Sequence, residues 1–200
     1  MHGLYTQSGI LCNMKKLFVS AVCIATLFSA CKDDLLDFDY DPGRMHYDGA
    51  NLTAPLLPAG TTEASAMFPH KILDLYKDQQ IDGIELAIYD IPEACTLVIY
   101  GDGTGNSPGA VIYEEDILPI LEANDWNTIT LPSPIPIPAS GDLWIALRST
   151  QSTALQVIGC DAGPSKDNGD WLYQSNDGLW RSFLDRGGDD INWNIRAVIY

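Results

Sequence analysis

Residues 95–113 decide the fold, and they read Cys95-Thr-Leu-Val-Ile-Tyr-Gly-Asp-Gly-Thr-Gly-Asn-Ser-Pro-Gly-Ala-Val-Ile-Tyr113. Thr96, Val98 and Tyr100 alternate with Leu97 and Ile99, which predicts a strand with at least one well-buried face. The glycines and the proline that follow exclude a helix, and Ala110 to Tyr113 again has strand character. The stretch therefore predicts a strand, a loop and a second strand in the middle of a β-sandwich.

Further strands are predicted on both sides of this stretch. They cover residues 81–89, 126–131, 143–147, 155–158 and 193–200. In the first, Ile84, Leu86 and Ile88 share one face, and in the last Trp193, Ile195, Ala197 and Ile199 do so. Residues 143–147 are apolar on both faces, as in a central strand. The proline run over residues 131–138 belongs at a sheet edge or in a loop.

A hairpin is predicted near the C-terminus. Trp171-Leu-Tyr-Gln174 and Leu179-Trp-Arg-Ser182 flank the turn Ser175-Asn-Asp-Gly178. Residues 72–76 allow one short helical turn. Many short strands with Gly- and Pro-rich turns predict an all-β fold, a jelly-roll-like antiparallel β-sandwich with at most a short helical turn.

The composition is that of one acidic domain. The chain has 200 residues, of which 46% are hydrophobic and 10% aromatic, enough for a single core. The formal net charge is −16, and it becomes −18 if residues 1–30 are removed, since they carry Lys15 and Lys16 and no acid. Such a surface repels phosphate backbones and anionic lipid headgroups, so nucleic-acid binding is not expected.

The N-terminal residues 1–30 are interpreted as a signal peptide. Met14-Lys-Lys16 precedes the apolar run Leu17 to Ala30, which is too short to span a bilayer. Translation is expected to begin at Met14.

The run ends in Leu27-Phe-Ser-Ala-Cys31, which resembles a bacterial lipobox and implies a lipid on Cys31. Phe28 departs from the commoner residue there, and the alternative is an ordinary secretory signal with an incidental cysteine. Lys32-Asp-Asp34 resembles the signal that sends Bacteroidota lipoproteins to the outer face of the outer membrane, although it could simply begin a solvated tether. Residues 31–43 are then a lipidated, flexible tether, and residues 44–200 the β-sandwich domain.

A succession of short motifs runs through the domain. It comprises Met45-His-Tyr-Asp, Met67-Phe-Pro, Ile81-Asp-Gly-Ile, Ile99-Tyr-Gly-Asp-Gly, Ser107-Pro-Gly, Ile112-Tyr-Glu-Glu, Trp126-Asn-Thr-Ile-Thr-Leu, Leu143-Trp-Ile-Ala-Leu and Asn192-Trp-Asn-Ile-Arg-Ala. This order resembles secreted Bacteroidota jelly-roll modules similar to the cleaved-adhesin or haemagglutinin domains, over roughly residues 44–200. The resemblance implies a binding or adhesion module, often with structural calcium. Larger members carry such modules on proteases or in arrays, whereas here one follows a lipid anchor.

Catalytic motifs are weak. Gly105-Asn-Ser-Pro-Gly109 fits the letters G-x-S-x-G, but Pro108 lacks the N–H that an oxyanion hole needs after Ser107, and a strand follows instead of a helix. His46 and His70 are the only histidines after residue 31 and have no zinc-ligand spacing. Residues 114–116 are acidic and could supply a glycosidase pair, but adjacent acids also form solvated edges. A non-enzymatic protein is expected.

A calcium site and a disulfide are two further hypotheses. Asp102, Thr104 and Asn106 alternate as oxygen ligands might, and Asp161 begins a second acidic loop, although Asx residues also serve turns without any ion. Ser107 and Tyr113 stand where an EF-hand needs Gly and Glu. Cys95 and Cys160 could pair in an oxidising compartment, if the fold brings them together.

The tryptophans divide into two groups. Trp126, Trp144 and Trp193 lie in strand patterns and are expected in the core. Trp171 and Trp180 flank the polar hairpin tip, where they could pack in the core or stack on a ligand. With Tyr173, Asn176 and Asp177 they form the candidate ligand-binding patch.

The function expected from these observations is that of a surface-exposed outer-membrane lipoprotein whose sandwich binds a glycan or a cell-surface protein. One alternative is a structural subunit of an envelope assembly without its own ligand site. A jelly-roll enzyme that processes glycans is the third.

Overall fold

The structure is a computed structural model that describes residues 38–104 and 106–200. This part of the chain is an all-β, jelly-roll-like antiparallel sandwich. The strands are β1 (Arg44–Met45), β2 (Gly60–Phe68), β3 (Gln80–Ile88), β4 (Ala94–Tyr100), β5 (Val111–Asp116), β6 (Asp125–Pro136), β7 (Leu143–Gln151), β8 (Trp171–Gln174), β9 (Leu179–Ser182) and β10 (Ile195–Ile199). The short helix α1 (His70–Leu73) continues into a 3₁₀ turn (Asp74–Tyr76), and two more 3₁₀ turns cover Leu118–Ile120 and Leu184–Arg186.

The strands form two sheets in which every pair is antiparallel. The four-stranded sheet has the order β1-β10-β3-β6, and the six-stranded sheet the order β5-β4-β7-β2-β8-β9. Strand β7 lies between β4 and β2, which confirms the central position predicted for residues 143–147. Strands β8 and β9 have the bounds predicted for the hairpin.

The interior core lies between the two sheets. Ile84, Leu86 and Ile88 of β3 face it together with the alternate residues of β10, as the period-two pattern predicts. From the six-stranded sheet, β4 contributes Leu97 and Ile99. Each such side chain contributes roughly 1.5–3 kcal/mol when it leaves water, so this layer is the main source of stability. Trp193 is also buried there, as predicted.

The prediction that Trp126 belongs to the core is wrong. On β6 the inward positions are Asn127, Ile129 and Leu131, all buried. Trp126 therefore lies on the opposite, outer face of the four-stranded sheet, where it is half-buried. The guanidinium carbon of Arg196 lies 4.2 Å from the centroid of its ring.

The strand predicted at residues 155–158 is also wrong. Leu155 forms an isolated bridge with Leu57, and Ile158 forms one with Ile88. The segment is buried at Val157 and Ile158, but its hydrogen bonds pass from one partner segment to another, so no ladder of consecutive pairs develops. The apolar residues reflect burial in a connecting segment, which period-two counting cannot separate from a short strand.

The edges of the sheets carry distinctive residues. Strand β6 is an edge of the four-stranded sheet and contains Pro132, Pro134 and Pro136, as predicted for the proline run. Its pairing with β3 shifts between Ile81 and Gly83, which leaves residues 131–134 outside the ladder. A Cβ on Gly83 would lie 2.8 Å from the carbonyl oxygen of Ile129, so this close approach requires glycine. The edge strand β5 of the six-stranded sheet ends in three acids.

The segment before β1 contacts the sandwich. The ring of Phe38 packs edge-on against Tyr47, with centroids 5.7 Å apart, and against Tyr76, with centroids 6.4 Å apart. The Lys166 amine lies 2.8 Å from the carboxylate of Asp39. The predicted signal peptide, the lipidation site Cys31 and tether residues 31–37 lie outside the described residues.

Candidate ligand-binding face

The six-stranded sheet has a second apolar layer on its outer face. Strands β4 and β7 are interior strands of this sheet, and both faces of each strand carry apolar side chains. While Leu97 and Ile145 point into the interior core, the intervening side chains form a separate buried cluster. This cluster consists of Val98, Tyr100, Trp144 and Ala146, with Met67, Trp171 and Trp180 packed against it. We call the outer surface of the six-stranded sheet that carries this cluster the aromatic face.

Trp180 and Trp171 come from the hairpin and pack over this cluster. The centroid of Trp144 lies 5.2 Å from that of Trp171 and 5.5 Å from that of Trp180. Trp180 also contacts Tyr173 at 5.6 Å and Tyr100 at 6.5 Å. Only 2% of Trp144 is exposed, whereas Trp171, Tyr173 and Trp180 are half-buried. The buried rings thus support three partly exposed rings that a ligand could contact.

A charged network lies on the same face, beside the rings. Glu63 of β2 stands opposite Arg148 of β7, and Arg148 Nε donates to its carboxylate at 2.9 Å. The Tyr100 hydroxyl donates to Glu63 at 2.5 Å and accepts from Arg148 at 2.8 Å. Arg148 also donates to Glu114 of β5 at 3.2 Å. Strands β2, β4, β5 and β7 each contribute one group, so the sheet register fixes the network.

Burial controls the chemistry of Tyr100. Desolvation, followed by the hydrogen bond to Glu63, raises the pKa of this phenol well above its usual value. The hydroxyl is therefore neutral at physiological pH and remains a hydrogen-bond donor. Glu63 is 7% exposed and receives donors from both Tyr100 and Arg148, which is what a buried carboxylate needs.

A groove of about 350 Å³ opens beside Trp171. Its polar lining includes Lys166, Asp167, Asn168, Asp170, Ser182 and Asp185. The Asp170 carboxylate accepts from the Ser182 hydroxyl at 2.8 Å and the Leu184 amide at 3.1 Å. Burial raises the pKa of the Asp170 carboxyl. Trp171 and Ser182 stand opposite each other in the β8–β9 pair, so the groove adjoins the aromatic face.

The structure divides the predicted ligand patch. Trp171, Tyr173 and Trp180 share the aromatic face, but Asn176 and Asp177 lie in the exposed turn that joins β8 to β9. Asp177 binds Arg186 at 2.9 Å, and this hydrogen bond lowers the pKa of the Asp177 carboxyl. Asp177 therefore holds the turn in place rather than facing the rings.

The predicted metal ligands fall into two separate hydrogen-bonded groups. Asp102 accepts from the Asp142 amide at 3.1 Å, while Thr104 and Asn106 are exposed. Asp161 is buried and receives four N–H bonds of 2.8–2.9 Å, which come from Gly49, Gly163 and both nitrogens of Asn192. Calcium at Asp161 would have to displace these donors. Within residues 38–104 and 106–200, no three His, Cys, Asp or Glu side chains form a group that could hold a metal.

The hypothesised disulfide between Cys95 and Cys160 does not form in the structure. Both residues are free and buried. Cys95 lies opposite Ser149 in the β4–β7 pair, whereas Cys160 bridges to Thr53 and Trp193. Burial raises the pKa of each thiol to about 12, so both remain protonated and unreactive at neutral pH.

Sequence reasoning missed Glu63, Tyr100, Arg148 and the role of Glu114. A signal was present, because Glu63 interrupts a strand of small residues and Arg148 continues the alternation of Trp144 and Ala146. That Glu63 and Arg148 meet depends on a register between strands 85 positions apart in sequence. Trp144 was correctly predicted as buried, but in the interior core rather than under the aromatic face.

No family model, curated protein or solved structure matches the chain. Among the described residues, no helix has the length and apolar character needed to cross a membrane.

Proposed function

We propose that this chain is a surface-anchored bacterial lipoprotein whose sandwich binds a glycan, without catalysis, through the aromatic face. The observation that carries the proposal is the set of partly exposed rings, Trp171, Tyr173 and Trp180, supported from below by the buried Trp144. Sugar rings present C–H faces that pack on aromatic rings and hydroxyls that need hydrogen-bonding partners. The charged network beside the rings offers such partners.

Preorganisation supports binding at this face. Trp180 contacts three other rings, so it loses little conformational freedom when a ligand stacks on it. The outer face of a two-sheet sandwich is ordinarily polar, and an apolar cluster there requires another explanation. Ligand binding explains both the cluster and its partial exposure.

A non-catalytic role fits the arrangement of carboxylates. Glycoside hydrolysis needs two carboxyl groups that flank the scissile bond. Glu63 and Glu114 both bind Arg148, so the guanidinium occupies the space that a sugar linkage would need between them. Tyr100 remains protonated and donates to Glu63, which makes it a positioning group rather than a nucleophile.

The anchoring part of the proposal rests on sequence. The basic and apolar N-terminal segment, the lipobox-like residues ending in Cys31 and the acidic residues after it support a lipid anchor at the outer membrane. The likeness to cleaved-adhesin modules supports a role in binding at the cell surface. A structural calcium ion at the exposed side chains of Asp102, Thr104 and Asn106 belongs to the same proposal.

A glycan array tests the proposal, with residues 32–200, which contain every described residue of the sandwich. The array is run with calcium and again with a chelator. We expect selective binding that falls at least tenfold in Trp171→Ala and Trp180→Ala, and a loss in chelator would support calcium. The matched control is Trp126→Ala, which removes a half-buried indole from the outer face of the four-stranded sheet and should leave binding intact.

A blank array from protein with a cooperative unfolding transition would contradict glycan binding and direct the search to a protein partner. Equal loss in all three tryptophan variants would contradict the assignment of the site to the aromatic face.

A further inference from the structure

We infer that the ligand of the aromatic face is an uncharged oligosaccharide chain that lies across the strands, stacking on Trp180 at one end and hydrogen-bonding Arg148 and Glu114 towards the other. This inference rests on the proposed function and adds the class of glycan and its direction. It follows from the length of the face, the free hydrogen-bonding capacity of the network and the sign of the surrounding charge.

The length of the face favours a chain over a single sugar. Trp180 belongs to β9 and Glu114 to β5, the two opposite edges of the six-stranded sheet. A path of side chains joins them: the Trp180 ring lies 6.5 Å from the Tyr100 ring, the Tyr100 hydroxyl accepts from Arg148 at 2.8 Å, and Arg148 donates to Glu114 at 3.2 Å. Arg148 lies between them on β7. A single sugar stacked on Trp180 leaves the Tyr100 and Arg148 side chains between it and Glu114, whereas an oligosaccharide can contact both ends of this path.

The network keeps hydrogen-bonding groups for a ligand. Arg148 uses one N–H towards each of Glu63, Glu114 and Tyr100, and a guanidinium has five. Two N–H groups therefore remain, and 29% of the Arg148 side chain is exposed. Glu114 bonds through one carboxylate oxygen, and 49% of its side chain is exposed. Sugar hydroxyls can accept from Arg148 and donate to Glu114.

The charge around the rings disfavours anionic glycans. Two carboxylates share the single guanidinium of Arg148, which leaves a net negative charge beside the rings. The groove next to Trp171 adds Asp167, Asp170 and Asp185. Lys166 also lines this groove, but its amine binds Asp39. Sulfate or carboxylate groups would thus meet like charges on both sides of Trp171 and Trp180.

Isothermal titration of residues 32–200 tests the inference with two sets of probes. The first comprises uncharged cello-, xylo-, manno- and malto-oligosaccharides, each from monosaccharide to hexasaccharide. The second comprises oligogalacturonates and heparin oligosaccharides. We expect at least one uncharged series to bind with an affinity that rises more than tenfold from disaccharide to hexasaccharide, and the anionic probes to bind at least tenfold more weakly.

Two variants locate the ends of the ligand. Trp180→Ala should weaken binding of every length, while Glu114→Gln should weaken the hexasaccharide about fivefold to tenfold and leave the disaccharide unchanged, since only the longer chain reaches β5. Glu85→Gln is the matched control. Its carboxylate binds Arg44 at 2.8 Å on the outer face of the other sheet, and its loss should not affect binding.

The outcomes separate the two proposals. Binding that depends on Trp180 but prefers anionic probes, shows no dependence on length or ignores Glu114→Gln overturns this inference and leaves glycan binding in place. Absence of binding by every probe, of either charge, to folded protein overturns both.

Discussion

The outer faces of the two sheets use the same kinds of residue in opposite ways. On the four-stranded sheet, Arg196 lies over Trp126 and binds the buried carboxylate of Asp48 at 2.7 Å. On the six-stranded sheet, Arg148 binds Glu63 and Tyr100, and the indoles pack against one another instead. In the first case the cation covers the aromatic ring. In the second, the carboxylate and the phenol hold the cation beside the aromatic rings.

The groups that each arginine contacts therefore decide whether a neighbouring aromatic ring remains free to contact a ligand. Asp48 also accepts from Asn194 at 2.6 Å and lies 2.9 Å from His46 Nδ1, so its carboxylate is satisfied within the protein. The network around Arg148 has unused donors and a half-exposed carboxylate at its edge. The four-stranded face is thus closed by its own contacts, and the six-stranded face can form more.

The largest difference in the free energy of unfolding is expected between Trp144→Ala and Trp126→Ala. Trp144→Ala should lower the free energy of unfolding by about 3–5 kcal/mol, because this outer-face residue is as buried as the core and its loss leaves a cavity. Trp126→Ala should cost about 1 kcal/mol, chiefly the contact with Arg196. Urea unfolding followed by circular dichroism measures both. Equal losses would show that the outer faces are packed alike.

The second-largest difference in the free energy of unfolding is expected between variants of the two buried carboxylates, Asp48 and Glu63. Asp48→Ala should cost about 3–5 kcal/mol, since it leaves Arg196 and Asn194 without their partner in a buried site. Glu63→Ala should cost about 1–3 kcal/mol, because Arg148 is partly exposed and keeps Glu114. The control Glu85→Ala, which breaks the more exposed pair with Arg44, should cost about 1 kcal/mol or less. If Glu63→Ala lost more free energy of unfolding than Asp48→Ala, the four-stranded face would not be the one whose contacts are more fully satisfied within the protein.

Acid should affect the two faces in opposite directions. Burial alone would raise the pKa of Asp48, but the hydrogen bonds from His46 and Arg196 outweigh it and hold the pKa below its usual value. The stability that Asp48 contributes is therefore fully present above about pH 4, the unfolded pKa, and is lost as the pH falls below it. Asp170, in the groove beside Trp171, has a raised pKa, so its ionisation lowers stability as the pH rises above about 4.

Urea midpoints measured from about pH 7 to about pH 3 check both signs. As the pH falls below about 4, the wild-type protein should lose stability relative to Asp48→Asn. As the pH falls from neutral to about 4, the wild-type protein should gain stability relative to Asp170→Asn. Parallel curves for either pair would contradict the assigned direction.

The smallest stability effects are expected at the exposed part of the aromatic face. Trp180→Ala should cost about 1 kcal/mol, since the ring is half-buried, and Glu114→Gln about 0.5 kcal/mol or less. Differential scanning calorimetry measures both. If Trp180→Ala lost as much stability as Trp144→Ala, Trp180 would be a core residue and its effect on binding would have a structural cause.

Much of the fold follows from local patterns. Period-two alternation identifies β3 and β10, a continuous apolar run identifies β7, and the turn chemistry of Ser175 to Gly178 gives the hairpin. The outward position of Trp126 also follows from alternation, because Ile129 and Leu131 occupy the opposite, inward face of β6; the core prediction was wrong because it took the apolar character of tryptophan as its guide. The absence of a strand at residues 155–158 could not be predicted in this way, because it depends on which segments lie alongside.

In the candidate site too, local sequence patterns identify some residues, and long-range strand pairing brings in the others. The hairpin signal alone points to Trp171, Tyr173 and Trp180, which are close in sequence. Asn176 and Asp177 are equally close, but the turn directs them away from the rings, and Arg186 holds Asp177 there. Glu63 and Arg148 come together only through the pairing of β2 with β7, which no local pattern specifies. Residues joined by long-range register were therefore the ones missed.

The residues along the four sheet edges also affect how copies of this chain behave when they are crowded together. An unpaired edge can recruit a strand from a neighbouring molecule and begin aggregation. Here β6 contains prolines that cannot donate to an added strand, β5 ends in acids that repel an identical edge, and β1 and β9 are only two and four residues long. The sheet edges therefore disfavour strand addition between neighbouring copies of the chain.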